Sequence, residues 1–214
     1  MGNPLEDYVD SQTSGPRIWK WRHYFEIYHR HFEKFRGQEV HVVEIGVHKG
    51  GSLDMWKHYF GPRCRIYGVD IDPACRAYED EQTEIFIGDQ ADELFWARFV
   101  EQVPRIDVVI DDGGHLPEQQ TTTLEALLPH ISPGGVYLCE DLHGRRNPFH
   151  AYVTNLARKL NAWGTSDAGL RRTPSDFQQM VQSIHLYPFV AVIERRSETL
   201  TELYAPRHET GGIP

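Results

Sequence analysis

No apolar run in this sequence approaches the roughly 18 residues that a membrane span needs. Its opening stretch, MGNPLEDYVDSQTSGPR, has no apolar core of the kind that marks a secretory leader. No membrane partner is expected, and a cytoplasmic location is. Cysteine is scarce: Cys64, Cys75 and Cys139 form no paired motif, which excludes a disulfide framework and suits a reducing compartment. Cys139 falls inside an apolar strand pattern and reads as a small hydrophobe. Positive charge is in deficit, with 22 Lys and Arg against 31 Asp and Glu and a net charge of -9. That balance disfavours a nucleic-acid backbone as partner. Repeats and low-complexity tracts are absent. What remains, 214 residues with 40% hydrophobic and 25% charged side chains, is the composition of one domain of moderate size that can bury a core.

The most informative stretch runs from Val42 to Asp72, VVEIGVHKGGSLDMWKHYFGPRCRIYGVDID. It reads as strand, glycine turn, helix, strand. Glycines at 46, 50 and 51 permit a tight turn and let a ligand approach the backbone, and the helix that follows offers free N–H groups. Asp70 closes the second strand, 19 residues after Gly51, near the spacing at which a carboxylate takes ribose hydroxyls. A dinucleotide fingerprint would place a second glycine where His48 stands. Glu44, just before the turn, would repel a pyrophosphate and favour a cationic group. Ribose plus a cation fits S-adenosylmethionine better than NAD.

The rest of the chain takes its place around this unit. Residues 1–16 are expected to be a loosely ordered arm, 17–205 a single domain, and 206–214 a loose tail. Arg17 to Arg36 reads as a helix with an aromatic stripe of Trp21, Tyr24, Phe25, Tyr28, Phe32 and Phe35; its start is a candidate wall of the ligand pocket. Its histidines, His23, His29 and His31, lack metal-site spacing. Pro73 to Tyr78 is a short helix, Glu84 to Ile87 a third strand, Asp92 to Val103 a helix, and Ile106 to Ile110 a fourth strand. Glu118 to Leu128 is a further helix, Pro133-Gly134-Gly135 a turn, and Val136 to Cys139 a fifth strand. Ala151 to Trp163 and Asp176 to Val181 are helices, linked by a flexible Gly164 to Leu170. Ser183 to Tyr187 and Phe189 to Glu194 form a closing strand pair. Alternating strands and helices predict an α/β fold, a doubly wound and mostly parallel sheet with helices on both faces and an antiparallel C-terminal strand.

Strands four and five end in Asp111-Asp112-Gly113-Gly114-His115 and Glu140-Asp141-Leu142-His143. As neighbours about 4.8 Å apart, they gather Asp112, Glu140 and Asp141. Anions so close raise one another's pKa unless something positive sits among them; a hard divalent cation, Mg²⁺ by default, is the usual answer. His115 at the rim is placed to act as general base for a substrate hydroxyl. The loop from His143 to His150 is a candidate lid, with Arg145 and Arg146 able to hold an acidic substrate group.

Together, VVEIGVHKGGS, GVDIDP, IGDQAD, VVIDDGGH and PGGVYLCEDLH resemble the class I S-adenosylmethionine-dependent methyltransferases, and most of all the metal-dependent O-methyltransferases of macrolide sugars. The resemblance spans Glu39 to His143. It implies a Rossmann-like fold, S-adenosyl-L-methionine as cofactor, and a small-molecule acceptor, with Asp89 and Gln90 beside the adenine. The expected cofactor set is Glu44, Gly46, Ser52, Asp70, Asp89, Gln90 and Asp111. Asp112, Glu140 and Asp141 match the family's Mg²⁺ ligands, and His115 matches its base. Gly114 replaces a serine of those relatives, and their large N-terminal extension has no counterpart here, which leaves acceptor class and oligomeric state open, a homo-oligomer included. Carboxyl O-methylation, a non-catalytic adenosyl-binding module and a nicotinamide oxidoreductase are the rival readings.

Overall fold

A computed structural model describes residues 2–16, 18–143, 147–162 and 171–205. Its main sheet has seven strands in the order β3 (Thr83–Ile87), β2 (Cys64–Asp70), β1 (Val40–Ile45), β4 (Ile106–Asp111), β5 (Ile131–Cys139), β8 (Val190–Arg195) and β7 (Val181–Tyr187). The pairings from β3 to β5 are parallel, and β8 runs antiparallel to both β5 and β7. A two-stranded sheet joins β6 (Arg171–Arg172) to β9 (Leu203–Tyr204). The chain order reverses between β1 and β4, and a ligand crevice is expected at that point, outside the carboxyl ends of the strands.

The sheet is central because its strands are apolar on both faces, as parallel strands under helices must be. Val42, Val108 and Leu138 feed one core with Tyr28 of α2 (Tyr24–Phe32) and Trp56 of α3 (Gly51–Phe60). Val43, Val109 and Tyr137, one residue along each strand, feed the other with Trp96 of α4 (Glu93–Gln102), Leu124 of α5 (Pro117–Leu127) and Phe149 of α6 (Pro148–Leu160). Successive side chains point to opposite faces, so one strand serves two cores. A short α7 (Asp176–Met180) precedes β7. Among the described residues no helix is long and apolar enough to cross a membrane.

Several boundaries differ from the sequence expectation. Within residues 1–16, Pro4–Ser11 form α1, whose Leu5 is fully buried. Asn3 caps it, accepting a bond from the Leu5 amide at 3.0 Å, and proline follows the cap; both are helix-start signals. The helix expected from Arg17 begins only at Tyr24, and residues 18–23 run non-helically toward the sheet edge. The fifth strand begins at Ile131, through the glycine pair expected as a turn. Asn147 caps α6 at Pro148, which shortens the expected lid. Arg145, Arg146, the Gly164 to Leu170 link and the tail lie outside the described residues.

Candidate functional site

A cavity of about 750 Å³ opens at the carboxyl ends of the parallel strands. Its glycine side is built by close approach. Gly46, at φ 91°, lies against the Asp112 carbonyl, and a Cβ there would come within 2.1 Å of that oxygen. Only glycine is tolerated under both constraints. Asp70 crosses the turn: Oδ2 accepts the His48 amide and Oδ1 the Asp72 amide, each at 2.9 Å. A carboxylate has about four acceptor positions, so both oxygens retain capacity toward the cavity. Asp89 also lines the wall and accepts the Ala91 amide at 2.8 Å. Ser52 stands in the first turn of α3 at the same wall.

Gln90 lines the cavity too, but its amide is spent inward. Its oxygen accepts from the Gly114 amide at 2.7 Å, and its nitrogen donates to Asp111 Oδ1 at 3.1 Å and to Thr123. It ties the end of β3 to the loop after β4. Glu44 and Asp111 do not reach the wall. Each is buried beneath the floor, Glu44 bonded to the Trp56 indole at 3.1 Å and Asp111 to the Tyr137 hydroxyl at 2.8 Å. Burial raises the pKa of both carboxyls against those bonds. Side chains within a strand stand perpendicular to the sheet. Residues just past the strand ends, such as Asp112 and Asp141, are the ones that overhang the edge.

The other side of the cavity holds Asp112, His115, Glu140 and Asp141. His115 Nε2 lies 3.9 Å from Asp112 Oδ1 and 3.6 Å from Asp141 Oδ2. One donor atom from each of these three residues falls within 4.8 Å of the others, a spacing suited to a metal ion. His115 Nδ1 is buried and makes no hydrogen bond. Glu140 turns the other way. Its Oε1 takes the Tyr28 hydroxyl at 2.7 Å, and both its oxygens take the Lys20 ammonium, at 3.1 and 2.9 Å. His48, His115 and Asp141 hold left-handed φ values of 48°, 57° and 54°. All three line the cavity, and strained backbone of this kind gathers at functional sites.

Lys20 is the residue that the sequence did not signal. Its Nζ sits 2.6 Å from Asp112 Oδ2 and 2.9 Å from Glu140 Oε2, and its side chain is only 4% exposed. Burial pulls its pKa down, but Asp112 and Glu140 outweigh that and hold the ammonium charged. Burial pushes the Glu140 carboxyl up, with Lys20 pulling against it. Tyr24 donates to Asp141 Oδ1 at 2.7 Å. Lys20, Tyr24 and Tyr28 thus give each acidic residue a donor from the N-terminal segment. Asp112 Oδ1 and Asp141 Oδ2 remain turned toward His115 and the cavity. The clue was available: three carboxylates require a cation, and Lys20 precedes Tyr24 and Tyr28 by four and eight residues.

Comparison with known proteins gives a consistent picture. Residues 43–142 match the family model described as "Methyltransferase domain". Demethylmacrocin O-methyltransferase of Streptomyces fradiae is 36% identical over 200 residues, covering 83% of this chain and 50% of that protein. Mycinamicin VI 2''-O-methyltransferase of Micromonospora griseorubida is 34% identical over 208 residues, covering 87% and 49%. The chain thus spans about half the length of these relatives. Among solved structures, MycE methyltransferase of the mycinamycin biosynthetic pathway, in complex with Mg, SAH and mycinamycin VI, superposes with a TM-score of 0.73 at 28% identity. That match covers 99% of this chain and 55% of MycE.

Proposed function

The chain belongs to the class I methyltransferases, and from that premise we propose that it transfers a methyl group from S-adenosylmethionine to a hydroxyl oxygen on the sugar of a small glycosylated natural product, with Mg²⁺ as its metal. The observation that carries the reading is one cavity with a glycine turn and Asp70 on one wall and His115 between two carboxylates on the other. The sugar is suggested by the relatives, whose names specify O-methylation of demethylmacrocin, mycinamicin VI and rhamnosyl tetracenomycin-C.

Roles follow from position. Gly46 lets the turn close against the Asp112 carbonyl beside the cofactor, and Asp70 accepts the ribose hydroxyls. Asp89, with one carboxylate oxygen free of the Ala91 amide, accepts from the adenine amino group. Gln90 at the wall fixes the loop after β4 through its amide, and Glu44 and Asp111 act from beneath the floor. The residues present fit a hard divalent cation: Asp112 Oδ1 and Asp141 Oδ2 are oxygen donors within reach of one point. Glu140, the third carboxylate expected, is engaged by Lys20 and Tyr28 instead. Bound there, Mg²⁺ supplies a Lewis acid that holds and acidifies the acceptor hydroxyl. Oxygen ligands suit Mg²⁺ better than imidazole does, so His115 is left to take the hydroxyl proton on Nε2. Held in line in one cavity, the two reactants gain a large part of such a rate from alignment.

Calorimetry tests the cofactor half. S-adenosylmethionine should bind and NAD should not, and Asp70→Ala should weaken binding by about 1–3 kcal/mol, the cost of leaving polar partners unmatched. NAD binding with S-adenosylmethionine ignored would overturn the reading, and unchanged affinity in Asp70→Ala would remove that residue from the ribose.

A further inference from the structure

A second cluster of ligating side chains lies away from the cavity, at the far edge of the sheet. His31 comes from α2, His185 from β7 and Glu194 from β8. None of them lines the cavity. His31 is 3% exposed, with Nδ1 2.9 Å from Glu194 Oε1 and Nε2 2.9 Å from the Tyr187 hydroxyl. His185 Nε2 lies 3.6 Å from Glu194 Oε2 and 3.0 Å from the Ser183 hydroxyl. Ser183 also donates to Glu194 Oε2 at 2.9 Å. The two imidazole rings meet edge to face, with centroids 4.7 Å apart and planes inclined at 60°. One donor atom from each of the three residues falls within 4.8 Å of the other two.

We propose that His31, His185 and Glu194 form a second metal site, selective for a borderline transition ion of the Zn²⁺ or Co²⁺ type, which clamps α2 to the β7–β8 edge. Two imidazoles and one carboxylate match that ion class and not Mg²⁺. His31 Nδ1 and Glu194 Oε1 are 2.9 Å apart, a few tenths of an ångström under the roughly 3.3 Å between tetrahedral ligands about 2.05 Å from one ion. The supporting groups are also in place. Tyr187 holds His31 through its outer nitrogen, so Nδ1 faces the cluster, and Ser183 orients the carboxylate; such outer partners set the direction of ligating atoms. His185 and Glu194 are partly exposed, at 37% and 23% of their side chains, leaving a path for the ion and a position for water. The clamp bears on the helix that carries Tyr24 and Tyr28 to Asp141 and Glu140, although the site does not depend on the proposed reaction.

The test is a Co²⁺ titration of the full chain, stripped of metal and held in excess Mg²⁺, read by visible ligand-field absorption and by thermal midpoint. One equivalent should bind and raise the midpoint by about 5–10 °C at a hundredfold excess over Kd. His185→Ala should weaken binding at least tenfold while keeping nearly the wild-type midpoint without metal, and Glu194→Gln should do the same to the absorption. His115→Ala should leave the Co²⁺ signal intact. The proposal is overturned if no equivalent binds, if His185→Ala and Glu194→Gln both bind Co²⁺ as wild type does, or if the signal disappears in His115→Ala instead, which would place the ion at the acidic cluster.

Discussion

His115→Ala should lower kcat by about 10²–10⁴-fold, the usual contribution of a positioned base, and leave S-adenosylmethionine affinity within about twofold. A neutral hydroxyl must lose its proton at or near the transition state. His115 stands at the acid-lined end of the cavity with Nε2 turned to the carboxylates, whereas Lys20 is held charged by two carboxylates. The imidazolium would form beside Asp112 and Asp141, whose oxygens lie 3.9 and 3.6 Å from Nε2, and opposite charges at that distance favour it. Raised pH should recover part of the lost rate in the variant, since hydroxide replaces a missing base. With a carboxylate acceptor no base is needed, and His115→Ala would keep its rate. Full activity of the variant on a hydroxyl acceptor would remove His115 from the mechanism.

Lys20→Met should cost about 3–5 kcal/mol of folding stability, the usual result of removing one partner from a buried ion pair. For a chain of this size that is a fall of roughly 6–20 °C in the unfolding midpoint. The volume is nearly kept, so the loss is electrostatic. Asp112 and Glu140 remain, the second fully buried, with no ammonium 2.6 and 2.9 Å away. The comparison is best made in chelated buffer. Adding Mg²⁺ should then return part of the loss, because a divalent ion on Asp112 supplies positive charge to the same group of oxygens. A midpoint within about 2 °C of wild type would mean that Lys20 does not neutralise the cluster.

The β-branched runs, the glycine turns and the carboxylates after the strands made the sheet and its active edge legible in the sequence. Asp112, His115 and Asp141 could be placed together because neighbouring parallel strands must end side by side. Lys20 could not, since it stands 92 residues from Asp112 and 120 from Glu140 in a segment whose aromatic periodicity extends the apparent helix too far. Glu44 and Asp111 read as wall residues because the pattern gives the strand but not the pleat, which turns both beneath the floor. The cluster at the sheet edge was hidden for a related reason. His31 lies on a helix without metal-site spacing, and only the fold brings it to His185 and Glu194, more than a hundred residues later.

The most direct measurement is product analysis after incubating the full chain with isotopically labelled S-adenosylmethionine, Mg²⁺ and a panel of glycosylated polyketides, matched with aglycones and small carboxylic acids. The account predicts that the labelled methyl appears on a sugar hydroxyl oxygen, and that chelation stops the transfer until Mg²⁺ is returned. Label on a carboxylate, or transfer at full rate in thoroughly chelated protein, would contradict it.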